Sequence, residues 1–356
     1  MFSLPASSRK YFVVLVVLGG DTPFSDEQLA TISHTRVYHP DAQPVGKENA
    51  TLVFLARNSD LDDVKTSVER MERRYNHQNR YPWVFLNEQP FTDEFMETVA
   101  NMTEAQISFG LIPPEHWYQP EWIDEEKATQ GRQKMHEQNI IYAESVPYRN
   151  MCRFNSGFFF KHELLQSYKY YWRPNVDYFC NIAYDPFTYM RENEKIYGWT
   201  ISFYEWEPTI PTLWETTKEF MAQHPGYIHP DNAMRYLSDD GGKTYNLCHF
   251  WSNFEIADMD FWRSPAYQAY FDFLESRGGF YYERWGDAPV HSIAVALFAP
   301  KTAIHFFRDV GYRHEPFQHC PQGETYKQGS CTCKRWDNID YRSNSCTPRF
   351  ERLFYD

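Results

Sequence analysis

Residues 51–86, TLVFLARNSDLDDVKTSVERMERRYNHQNRYPWVFL, decide the fold. The stretch opens on an apolar run, Thr51 to Ala56, rich in strand formers and closed by the polar Arg57-Asn58-Ser59-Asp60, which predicts a buried strand. Leu61, Val64, Val68, Met71 and Tyr75 then recur at spacings of three and four, the pattern of an amphipathic helix. Ser59 and Asp62 are placed for a capping box, and Arg70, Arg73 and Arg74 fall in the last turns, where cations complement the helix dipole. Pro82 to Leu86 supplies a second strand. A strand, a helix and a strand in that order make a right-handed crossover with parallel strands. Ligands of open α/β sheets bind beyond the carboxyl ends of the strands. Arg57 and Asn58 after the first strand, and Asn87 to Gln89 after the second, are therefore where a nucleotide would be met. No GxGxxG or P-loop follows the first strand, which counts against a dinucleotide oxidoreductase and a P-loop kinase.

Downstream, the sequence predicts a helix over Thr92 to Ala100, a strand over Gln106 to Leu111, and a solvated helix or flap over Trp122 to Gln138. Further helices are expected at Pro211 to Gln223, Ala266 to Arg277 and Val290 to Phe298, with strands around Tyr168 to Arg173 and Trp199 to Tyr204. No internal repeat is found, so residues 49–356 are expected to form one mixed α/β domain with a disulfide-closed tail. Upstream, residues 21–48 show no sustained periodicity and read as a stem or linker. Residues 1–20 carry Arg9-Lys10 ahead of the apolar run Tyr11 to Leu18, which reads as a short signal-like or anchor-like segment or as a first buried strand. That run is too short for a membrane span, which takes about 20 apolar residues.

The 356-residue chain carries a formal charge of −13 and no long basic block, which argues against nucleic acid as a partner. Its aromatic content of 18% is clustered, and aromatic rings either stack on sugar faces or fill a core. Of seven cysteines, Cys320, Cys331, Cys333 and Cys346 gather among small and polar residues near the end of the chain. Cys331-Thr332-Cys333 is too tight for a zinc ligand pair, so disulfides are expected, with an odd thiol left over. The sequons Asn49-Ala50-Thr51 and Asn101-Met102-Thr103 agree with an oxidising secretory compartment.

Two later stretches concentrate titratable and aromatic groups: TYNLCHFWSNFE at 244–255, ending on Glu255, and YYERWGDAPVH at 281–291, which contains Asp287. Two carboxylates in aromatic surroundings suit chemistry at a sugar carbon. The other reading is a helix-capping Glu255 and a turn-forming Asp287 beside Gly286.

These stretches, with YNHQNRYPWVFLNEQPF (75–91), YRNMCRFNSGFFF (148–160), NEKIYGWT (193–200), TIPTLW (209–214), WRSPAY (262–267) and GGFYYERWGDAPVHS (278–292), resemble the fungal α-1,2-mannosyltransferases of glycosyltransferase family 15. The resemblance implies a GT-A fold, a type II membrane protein of the Golgi lumen, and retaining transfer of mannose from GDP-mannose to a mannose hydroxyl of a glycan with Mn²⁺. It implies Glu255 as nucleophile or anionic stabiliser, Asp287 at the acceptor, and Tyr148 near the donor, where a core tyrosine is the plainer reading. Arg173 would face the phosphates. Of the implied metal ligands, the late histidine is kept as His314 in Gly311-Tyr312-Arg313-His314. The acidic one, the Glu of Trp-Arg-Val-Glu-Pro, is missing: the chain runs Trp172-Arg173-Pro174-Asn175-Val176-Asp177. One imidazole is a poor Mn²⁺ site by itself, and Asp177 is the candidate replacement oxygen ligand. The missing residue raises a second reading, a catalytically impaired paralogue that binds mannan or GDP-mannose without transfer. A glycoside hydrolase built on Glu255 and Asp287 is a third.

Overall fold

The computed structural model describes residues 35–174 and 177–355. The predicted segment 1–20 lies outside them. In chain order the elements are β1 (Thr35–Tyr38), β2 (Ala50–Leu55), α1 (Leu61–Met71), β3 (Trp83–Asn87), α2 (Asp93–Ala100), β4 (Ile107–Leu111), α3 (Glu125–Glu137) and α4 (Val146–Gly157). There follow β5 (Tyr170–Pro174), β6 (Asp177–Tyr178), β7 (Tyr197–Trp199), β8 (Ser202–Tyr204), α5 (Leu213–Gln223), β9 (Cys248–Phe250) and β10 (Phe254–Asp258). After these come α6 (Pro265–Arg277), α7 (Asp287–Phe298), β11 (Ile304–Phe306), β12 (Tyr312–His314) and β13 (Phe317–His319), with short helical turns between and beyond the elements named.

One eight-stranded sheet, ordered β1-β4-β3-β2-β5-β10-β7-β11, carries the molecule. Parallel pairing joins β4, β3, β2 and β5, as the 51–86 crossover predicts, and β10 runs antiparallel between β5 and β7. Each face buries its own core. Val64, Val68 and Phe95 of α1 and α2 pack with Trp172 and Ile256 on one side; Phe154, Leu274 and Val290 of α4, α6 and α7 pack with Tyr171 on the other. Because β10 is reversed, its amino end lies at the same sheet edge as the carboxyl ends of β2 and β5. The register sets Glu255 directly across from Arg173 and Phe254 across from Pro174. Directly opposed residues share a face, and so do residues two apart on a strand. Tyr171, Arg173 and Glu255 therefore all project toward α4 and α7, at the edge where ligands of such sheets bind.

Three expectations are corrected. The stretch 21–48 is not all stem, for Thr35–Tyr38 pairs antiparallel with β4 as the sheet's edge strand. The capping box is not Ser59 with Asp62: a 3₁₀ turn over Asn58–Asp60 precedes α1, and the Asp60 carboxylate accepts from the Arg57 main-chain N–H at 2.9 Å. The strand expected over Trp199 to Tyr204 is broken in two, β7 staying in the main sheet while β8 pairs with β9.

β13, β12 and β6 form a separate three-stranded sheet. Disulfides join Cys180 to Cys331, Cys248 to Cys346 and Cys320 to Cys333, so the tail is stapled to the body as well as to itself. Cys152, buried on α4, is the odd thiol. Among the described residues no helix is long and apolar enough to cross a membrane.

Candidate active site

A cleft opens at the carboxyl ends of β2 and β5, bordered by Arg57, Glu88, Asn155, Arg173 and apolar residues that include Trp117 and Met151. Its position follows from the topology, and Arg57 and Arg173 both border it.

Against this cleft lies a buried charge cluster. Glu255 has no exposed surface, and Asp287 and His291 are buried beside it. Glu255 accepts from the Tyr171 hydroxyl through Oε1, and its Oε2 lies 2.8 Å from His291 Nδ1. Arg173 Nη1 donates to Asp287 Oδ2 at 2.8 Å and stands 3.8 Å from Glu255 Oε1. Ser252 donates a further bond to Asp287 Oδ2 at 2.9 Å. The other nitrogen of His291, Nε2, is 3.1 Å from the main-chain carbonyl of Asn155. Both neighbours of the ring are acceptors, so both nitrogens must carry hydrogen for both contacts to be bonds. Two cations then face two anions. That balance is what makes the cluster tenable, since breaking one member of a buried pair costs about 3–5 kcal/mol.

The environment fixes the charge states. Burial pushes the Glu255 carboxyl up, but His291, Arg173 and the Tyr171 hydroxyl outweigh it and hold the group below its ordinary value. Burial is likewise overcome at Asp287 by Arg173, His291 and Ser252, and its carboxyl is lowered. Burial works against the Arg173 guanidinium too, yet Asp287 and Glu255 raise it above the ordinary arginine value. Burial and the adjacent Glu255 keep Tyr171 protonated, a fixed donor. The result is a Glu255 carboxylate held ionised beside Arg173, which borders the cleft, and a fixed carboxylate can stabilise positive charge that develops near it.

The other predicted residues divide. Tyr148 lies in the first turn of α4, stacked on Tyr142 at 4.5 Å between ring centroids, with the Arg284 guanidinium 5.2 Å from its ring centre. Arg173 points at Asp287 and Glu255 while bordering the cleft. Arg57 borders the cleft but also grips Asp60. Asn58 is a correction: its amide donates to the Pro90 carbonyl at 3.0 Å and accepts from Thr92 N at 2.9 Å, so the side chain ties two loops together.

Asp177 is a second correction. In the pairing of β6 with β12 it stands opposite Arg313, and residues alternate faces along a strand, so its carboxylate leaves the sheet on the side away from His314. Arg70 forms an ion pair with it there. His314, for its part, is pushed down to about 4 by burial, the Glu315 carbonyl working weakly the other way. The neutral ring packs edge-on to Trp251. Among the described residues no group of three or more His, Cys, Asp or Glu is arranged to hold a metal ion. The described residues therefore do not fit a protein-held Mn²⁺ site.

Sequence reasoning missed His291 and Tyr171. The signal for His291 was there: four residues after Asp287 on a helix, it shares that residue's face. Starting the helix at Val290 hid it, whereas α7 begins at Asp287 itself.

Sheet order, helix placement and the position of the cleft together define a GT-A nucleotide-sugar transferase fold. A family model described as glycolipid 2-alpha-mannosyltransferase matches residues 21–353, and the chain belongs to that family. It is 50% identical over 313 residues to the O-glycoside alpha-1,2-mannosyltransferase omh1 of Schizosaccharomyces pombe, covering 87% of this chain and 80% of that protein. It is 52% identical over 318 residues to glycolipid 2-alpha-mannosyltransferase 1 of Candida albicans, covering 88% and 74%. Among solved structures, the mannosyltransferase Ktr4p of S. cerevisiae in complex with GDP superposes with a TM-score of 0.83 at 42% identity, over 87% of this chain and 82% of that one. Core-mannan synthase A of Aspergillus fumigatus, in its Mn/GDP form, gives 0.82 at 40%, over 88% and 87%.

Proposed function

We propose that this chain is a retaining α-1,2-mannosyltransferase that moves mannose from GDP-mannose to a mannose hydroxyl of a glycoprotein glycan. The observation that carries the reading is the Glu255–His291–Arg173–Asp287 cluster at the end of the cleft, in a chain of this family. An impaired paralogue would have no use for so costly an arrangement. A hydrolase would need no nucleotide cleft.

Of the two roles open to Glu255, anionic stabiliser is the better supported. Both its oxygens are engaged, it has no exposed surface, and its lowered pKa makes it a weak nucleophile. In the reaction the bond from the anomeric carbon to the diphosphate oxygen breaks, and the acceptor oxygen bonds the same carbon on the same face. The acceptor's proton leaves with GDP. Glu255 stabilises the oxocarbenium-like charge between the two events. Asp287 borders the acceptor, Tyr148 lies near the donor, and Arg57 and Arg173 meet the donor's diphosphate. A place in the Golgi lumen as a type II protein is part of the same reading, and membership of this fungal family supports it.

Incubating the purified protein with GDP-mannose and an α-mannoside should lengthen the acceptor by one hexose, removable by an α-1,2-specific mannosidase. No extension, with GDP-mannose still bound, would establish the impaired paralogue instead. Since Arg70 holds Asp177, Asp177→Ala should leave a Mn²⁺ titration of GDP binding unchanged, and a weakened titration would restore Asp177 as a ligand.

A further inference from the structure

Helix α4 satisfies its buried polar side chains one after another, with one exception. Arg149 donates to the carbonyls of Glu283, Tyr142 and Ser145. Asn150 accepts from the Tyr281 hydroxyl at 2.8 Å, Arg153 pairs with Glu275, and Ser156 donates to the Cys152 carbonyl. Asn155 is 4% exposed, yet its Nδ2 is buried with no hydrogen-bond partner. A buried amide left without a partner is a net cost to a fold and calls for an explanation. The exception falls where α4 borders the cleft, in company with Arg57, Glu88 and Arg173.

The same residue is joined to the charge cluster through its main chain, since the Asn155 carbonyl accepts from His291 Nε2 and His291 Nδ1 bonds Glu255. Its main-chain carbonyl thus lies one imidazole ring away from the anion assigned to the anomeric centre, and its carboxamide borders the cleft. An uncharged amide suits a sugar hydroxyl, which both donates and accepts; a diphosphate would call for charge, which the cleft supplies at Arg57 and Arg173. The amide also leaves the balance of two cations and two anions undisturbed.

We propose that the Asn155 carboxamide contacts the donor sugar, hydrogen-bonding one hydroxyl of the hexose carried on GDP and so separating GDP-mannose from bare GDP in affinity. The assignment rests on the GDP-mannose reading above. Arginine and carboxylate groups hold the nucleotide and the developing charge; Asn155 reads the hexose.

Asn155→Ala removes the amide but keeps the main-chain carbonyl, so His291 and Glu255 stay held. Binding of GDP and of GDP-mannose is measured by calorimetry on the wild type and the variant, alongside melting temperature. The variant should bind GDP within twofold of wild type and bind GDP-mannose about tenfold more weakly, erasing the preference for the sugar nucleotide. Its melting temperature should be equal or higher, because a buried donor without a partner has been deleted. Among GDP-linked 2-, 3-, 4- and 6-deoxymannose, one should bind wild type as weakly as GDP-mannose binds the variant, and lose nothing further in the variant. A variant that keeps its preference for GDP-mannose overturns the proposal. So does one that loses GDP affinity in step, one that melts lower, or a wild type that binds GDP-mannose no better than GDP. Should the Ala variant fail to fold, Asn155→Leu fills the volume and is judged by the same measurements. Absence of transfer by the wild type would overturn the functional reading, while the affinity difference still decides the role of Asn155.

Discussion

Glu255→Gln is expected to lower mannosyl transfer by about 10²–10³-fold or more while leaving GDP affinity within a factor of about two. Gln keeps the volume and can still accept from the Tyr171 hydroxyl. Its amide nitrogen would face His291 Nδ1, and two donors cannot bond each other, so the ring gives up that hydrogen and accepts instead. A buried ion pair becomes a neutral hydrogen-bonded pair, which is why the loss should appear in turnover far more than in melting temperature. GDP is spared because Glu255 lies behind Arg173 and has no exposed surface. Steady-state transfer, GDP titration and thermal melting on one preparation check all three expectations, and wild-type-like turnover would remove Glu255 from the chemistry.

Arg173→Met should act on stability first, lowering it by about 3–5 kcal/mol at neutral pH, because Asp287 and Glu255 are left buried with one cation between them. The pH dependence follows from the direction of the shifts. In the wild type both carboxyls are held below their ordinary values, so they contribute stability above about pH 4 and lose it as pH falls through the lowered values. In the variant, burial without the guanidinium raises them, the folded state takes up protons more readily, and stability is regained as pH falls. The gap between the two proteins should therefore narrow from pH 7 toward pH 4. A gap constant with pH would mean that Arg173 is not the counter-charge of these groups.

The parallel half of the sheet was legible because each segment announces itself locally: TLVFLA, the three-and-four spacing from Leu61 to Tyr75, and PWVFL. β1 was not, since an edge strand exposed on one side has too few apolar residues to show a period. Nor was the break between Trp199 and Ser202, where two strands of different sheets adjoin with two residues between them. Glu255 and Asp287 were marked by the chemistry of their surroundings and by resemblance. Their partners depend on long-range register: only the pairing of β5 with β10 puts Arg173 across from Glu255. Asp177 failed for a related reason, because sequence spacing does not say from which side of a strand a carboxylate leaves.

The bond from Cys248 to Cys346 has a bearing on how the protein is made. It ties β9, in the same stretch as Glu255, to a residue 98 positions later, and Cys180 waits for Cys331 across 151. During synthesis the strands around Glu255 emerge long before their covalent partners. They cannot be locked until the far cysteines have been made and meet an oxidising environment. A chain held in a reducing compartment would carry Glu255 on β10 without the covalent clasp on β9 just before it.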